Sequence, residues 1–167
     1  MFPKLLSSQI LIYNCILFFS FSLSVNYFVD FEIVNYVAYV LFHLTLVYLV
    51  FYFFNFYLIF LSFLYGIFFD VFLIDNISPH LISFLIFVAL FYFTKKYLLN
   101  LSSNKVSFLI IFITLSMFLF EAIIANLQFN YPVNFENLFR LFTTTIILFF
   151  PSLLIFSKIN KLSCFIL

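Results

Sequence analysis

Long apolar runs broken by short polar clusters divide the chain into six segments, from about Gln9 to Phe28, Tyr36 to Phe53, Phe56 to Ile74, Pro79 to Thr94, Val106 to Leu127 and Leu138 to Phe156. The breaks hold Asp30 and Glu32 with Asn26 and Asn35, the lone Asn55, the turn Asp75 to Ser78, the basic stretch Lys95, Lys96 and Lys105, and the polar loop Gln128 to Asn137. Each run of about 16 to 22 residues predicts a helix able to cross a hydrocarbon core of about 30 Å, the shorter ones standing upright. A polar break followed by Pro79 at the first turn of the next run predicts a tight turn between two such helices. With no linker long enough to separate a second domain, residues 1–167 are expected to form one multi-pass membrane domain.

Composition agrees. The chain is 67% hydrophobic and 8% charged, with a mean hydropathy of +1.28, more apolar surface than a soluble domain of this size could bury in one core. The expected class is an all-α integral membrane protein, a six-transmembrane-helix bundle. Seven scattered Lys and Arg residues make no basic patch, so nucleic acid is not an expected partner. The 32 Phe residues fit lipid-facing positions, where Phe is as acceptable as Leu. Cys15 and Cys164 lie in different surroundings and imply neither a disulfide nor a metal site. Lys4 and the following apolar run resemble a secretory signal, but the run is too long and lacks an A-x-A-like site, so it reads as a retained first helix.

Orientation follows from the lysines. With six crossings, Lys4, the loop of Lys95, Lys96 and Lys105, and the tail of Lys158 and Lys161 fall on one side, which should be the cytoplasm, with both termini there. The loop acids Asp30, Glu32, Asp75 and Glu136 fall on the other. Tyr27, Tyr36 and Tyr131 near the outer ends, and Tyr52, Tyr57, Tyr92 and Tyr97 near the inner ones, suit interfacial belts.

Against that frame, the stretch Phe63 to Ser83 stands out, because the only glycine, Gly66, precedes a carboxylate, Asp70, by one helical turn in an otherwise apolar run. An intramembrane carboxylate is costly and marks a functional candidate. Asp70 and Glu121 sit within roughly 10 Å of the outer surface at 1.5 Å per residue. Arg140 opens the sixth run at the same depth, and His43 and His80 lie in the same outer half. Arginine binds carboxylates through paired hydrogen bonds, so Asp70–Arg140 or Glu121–Arg140 is the expected ion pair. Such a cluster can fix helix order, bind a ligand or proton, or anchor at the lipid interface. Two histidines without matched spacing do not predict zinc, and no cofactor is expected. Neither a nucleophile with its base nor a glycine-rich phosphate loop is present, so no enzyme is expected. The serines of the first run and Thr143, Thr144 and Thr145 read as helix-contact residues.

The pattern Gly66-x-x-x-Asp70, a short outer turn, and a helix begun by Pro79 and His80 resembles the signature segment of the rod shape-determining protein MreD family. Length, six apolar spans, a basic fourth loop, Glu121 in the fifth span and Pro151 in the last extend the resemblance along the chain. The sequence departs in having Asn76 to Pro79 where the family's turn contains glycine, and almost no loop after the second run. The resemblance implies a non-enzymatic subunit of the bacterial cell-elongation machinery in the inner membrane. It would bind the bitopic protein MreC and act beside MreB, RodA and a penicillin-binding transpeptidase in peptidoglycan synthesis. It also implies a bundle similar to the substrate-binding subunits of energy-coupling-factor transporters, which supplies the alternative of a small-molecule uptake subunit.

Overall fold

A lipid-facing segment must satisfy its backbone hydrogen bonds internally, which leaves helices or closed barrels, and continuous rather than alternating apolar runs select helices here. The computed structural model describes residues 8–25, 32–73, 78–98, 103–129 and 134–162. They form six helices: α1 (Ser8–Val25), α2 (Glu32–Phe53), α3 (Phe56–Leu73), α4 (Pro79–Leu98), α5 (Ser103–Phe129) and α6 (Phe135–Leu162). Four spans, Ile33–Phe53, Phe56–Leu73, Lys105–Phe129 and Phe135–Phe156, are long and apolar enough to cross a membrane, and the apolar parts of α1 and α4 are shorter. The protein is thus a multi-pass membrane protein by length and composition. Lys4, Tyr27, Asp30, Asp75, Asn76, Tyr131 and Cys164, which carry parts of the orientation and turn arguments, lie outside the described residues.

α2 is the central helix. It packs against α1, α4, α5 and α6, and every side chain from Phe42 to Val50 is buried. A helix apolar all round suits a position with neighbours on all sides. The other helices divide their surface between this core and the surroundings, leaving Phe18, Phe60, Phe93, Phe112 and Phe150 exposed. Phe therefore serves the outward face, as its abundance suggests, but Phe42, Phe69, Phe84 and Phe118 are buried at the centre.

Named contacts fix how the helices run. Tyr13 in the first half of α1 touches Tyr48 and Phe53 of α2 and Phe156 of α6, and its hydroxyl donates to the Phe156 carbonyl at 3.3 Å. Tyr57, at the start of α3, donates to Asn14 of α1. The start of α1, the end of α2, the start of α3 and the end of α6 therefore share one end of the bundle. At the other end, Tyr36 of α2 donates to Asn137 of α6, so these two helices begin together. Both α5 and α6 extend past the apolar runs at each end. At α6 the Asn134 Oδ1 accepts the N–H groups of Glu136 and Asn137. Of the expected contact residues, Ser20, Ser24 and Thr145 are buried, and Thr143, Thr144 and Thr145 each donate to a carbonyl of their own helix.

Candidate functional site

The site begins with the problem of starting a helix inside a membrane protein. The first N–H groups of a helix have no intrahelical partner, and proline in the first turn removes one of them. In α4, Pro79 does this, while Ser78 supplies the carbonyl that accepts the Ile82 N–H at 2.9 Å. The remaining N–H groups turn to α3. Asp70 Oδ2 accepts from Ser78 N at 2.9 Å and Leu81 N at 3.0 Å, and Oδ1 accepts from His80 N at 2.9 Å. A carboxylate from one helix thus caps the next, at the end where the helix dipole is positive.

Gly66 makes this approach possible. One turn before Asp70, it lies against α4 so closely that a β-carbon there would stand 2.6 Å from Leu81 Cα and 3.1 Å from Leu81 N. Glycine without a side chain lets two backbones meet, and the carboxylate one turn further fastens them. The two residues of the Gly66-x-x-x-Asp70 pattern are a single joint between α3 and α4.

From this joint a line of polar side chains crosses the bundle. Asp70 Oδ1 also accepts from His80 Nδ1 at 2.8 Å, and His80 Nε2 stands 2.8 Å from the Tyr39 hydroxyl. Tyr39 donates to Glu121 Oε2 at 2.7 Å. Glu121 Oε1 lies 3.1 Å from His43 Nε2, and His43 Nδ1 reaches the Tyr39 carbonyl at 2.9 Å. Four helices contribute: α2 with Tyr39 and His43, α3 with Asp70, α4 with His80 and α5 with Glu121. Asp70 and His43 are 0% exposed, His80 5% and Glu121 6%. Phe69 stacks on His80, Phe118 stacks on Tyr39, and Phe84 meets both His43 and His80 edge-on. Phenyl rings therefore wall the network, and hydrogen bonds inside such a wall are electrostatically stronger than in water. Nearby, the Ser78 hydroxyl donates to Gln128 Oε1, tying the start of α4 to the end of α5.

Of the six residues singled out from the sequence, five come together: Gly66, Asp70, His80, Glu121 and His43. Arg140 does not join them. Its guanidinium pairs with Glu136 at 2.6 Å, one turn away on α6, where the two side chains are 48% and 70% exposed. The expected Asp70–Arg140 or Glu121–Arg140 pair is therefore replaced by two carboxylate–histidine pairs. The physical reason is local: an acid one helical turn away meets the arginine at the surface, so the cation need not enter the core. Tyr39, which links the two pairs, is absent from the sequence-based cluster. Its spacing of one turn from His43 would have shown it, since the two share a face of α2.

The arrangement can exchange protons among imidazole, phenol and carboxylate, and it can hold four helices in register. No group of three or more His, Cys, Asp and Glu able to hold a metal ion occurs among the described residues. No family model, curated protein or solved structure matches the chain.

Proposed function

We propose that this protein is a non-enzymatic membrane subunit of the bacterial cell-elongation machinery, a scaffold that binds an MreC-like bitopic partner and, through it, MreB, RodA and a penicillin-binding transpeptidase. On this reading all six helices cross the cytoplasmic membrane, with both termini in the cytoplasm where the lysines gather. One observation carries the proposal. The residues on which the MreD resemblance rests, Gly66, Asp70, Pro79 and His80, act together as the α3–α4 joint, through the Leu81 contact and the Asp70 cap. A resemblance confined to scattered letters would have no reason to place them in one structural element.

Burial supports a scaffold over the uptake reading. A carrier's polar residues must be free to bind a solute, whereas Asp70, His80, Tyr39, Glu121 and His43 bond one another. The test is affinity capture of the tagged full-length protein from detergent-solubilised membranes of cells that make it. Recovery of a bitopic MreC-like protein supports the reading. Recovery of an ATPase cassette in its place would favour uptake.

A further inference from the structure

We propose that Asp70, His80, Tyr39, Glu121 and His43 together form a two-proton binding site within the bundle. The inference goes beyond the scaffold reading and does not depend on it.

It follows from counting hydrogens. Besides the backbone N–H bonds to Asp70, five hydrogen bonds connect these residues: Asp70–His80, His80–Tyr39, Tyr39–Glu121, Glu121–His43, and His43 to the Tyr39 carbonyl. Each needs one hydrogen between its two heavy atoms. With both carboxylates ionised, a neutral imidazole supplies one N–H apiece and the phenol one O–H, which makes three. Two of the five links would then be empty.

The positions of the empty links are also determined. A carbonyl can only accept, so His43 must donate its own hydrogen from Nδ1 to the Tyr39 carbonyl. Its Nε2 can then bond Glu121 only if a further proton lies between them. At the other end, His80 gives its Nδ1 hydrogen to Asp70. The single phenolic hydrogen of Tyr39 can serve His80 or Glu121, and whichever link it leaves needs the second further proton.

Charge leads to the same number. Two ionised carboxylates carry two negative charges, and two additional protons bring the five residues to neutrality. Where those protons sit, on imidazole or on carboxylate, changes neither the count nor the charge. Among the described residues, the titratable groups that bond within the cluster are Tyr39 and His43 (α2), Asp70 (α3), His80 (α4) and Glu121 (α5). The described charges at the start of α6, Glu136 and Arg140, pair with each other at the surface. The backbone N–H groups on Asp70 cannot transfer their hydrogens and do not enter the count. Hydrogen-bond geometry and electroneutrality in an apolar enclosure thus require the same two protons.

The test uses the full-length protein in lipid nanodiscs, with ¹⁵N-labelled histidine and ¹³C-labelled Asp and Glu carboxyl groups, followed by NMR at pH 8. A free histidine loses its second proton near pH 6.5 and free carboxylic acids near pH 4, so ordinary groups are discharged there. The chain has two histidines, and Asp70→Asn and Glu121→Gln assign the two carboxyl signals. Doubly protonated imidazoles plus protonated Asp70 or Glu121 carboxyls should total two. A total of one or none would overturn the proposal. In Glu121→Gln the amide can accept from Tyr39 and donate to His43, so the total should fall to one, with His43 neutral. A total still at two in that variant would equally overturn it. If the variant fails to fold, the wild-type count decides alone.

Discussion

Asp70→Asn is the sharpest probe of the α3–α4 joint, because it preserves size while replacing one acceptor oxygen by a donor and removing the charge. In the native protein Oδ1 faces the His80 N–H and ring Nδ1, and Oδ2 faces the N–H groups of Ser78 and Leu81. An asparagine presents one oxygen and one NH₂ group, so in either rotamer two donors lose their acceptor. An unsatisfied buried group costs about 1–3 kcal/mol, placing the loss at roughly 2–6 kcal/mol. Side-chain hydrogen bonds between membrane helices average only about 0.6 kcal/mol, because the separated helices find other partners in the membrane. The α4 case falls on the larger side, since three of its donors are helix-start N–H groups held against another helix. The assay is thermal or denaturant unfolding of wild type and variant in the same detergent, with Asp70→Ala as a second variant. A loss under about 0.6 kcal/mol in both would refute the capping argument.

Gly66→Ala should cost about 1–3 kcal/mol through overpacking against Leu81, while Ile67→Leu, at a half-buried position, should cost less than about 1.5 kcal/mol; melting of the two purified variants compares them. His43→Leu or Glu121→Leu alone should each cost about 3–5 kcal/mol by orphaning the other member. The double variant should recover much of that, and strictly additive losses in the unfolding cycle would deny the pairing. Arg140→Leu and Asp70→Asn should have independent, additive effects in the same assay, since Arg140 pairs with Glu136 at the surface and not with Asp70.

The helices were legible in the sequence because apolar runs and polar breaks alternate at the right lengths, and the hairpin was legible because Pro79 follows a polar turn. The central place of α2 was not. Lipid and protein interior are both apolar, so nothing in the residues from Phe42 to Val50 distinguishes being surrounded by helices from facing hydrocarbon. The common depth of Asp70, Glu121, His43 and His80 followed from counting residues along each run, and they do meet. Their partners depended on how each helix is rotated, which depth alone does not specify. Arginine's affinity for carboxylates suggested the wrong cation, although Glu136 one turn from Arg140 was visible throughout. The Gly66–Leu81 contact was legible only in part, since glycine signals close approach without naming what approaches.

The scaffold function is most directly tested by depleting the protein in the cells that make it and measuring cell width and length by microscopy over successive divisions. Loss of width control and rounding, reversed by wild type and poorly by Asp70→Asn, is the predicted result. Cells that keep their shape while growth becomes dependent on a supplied nutrient would contradict it.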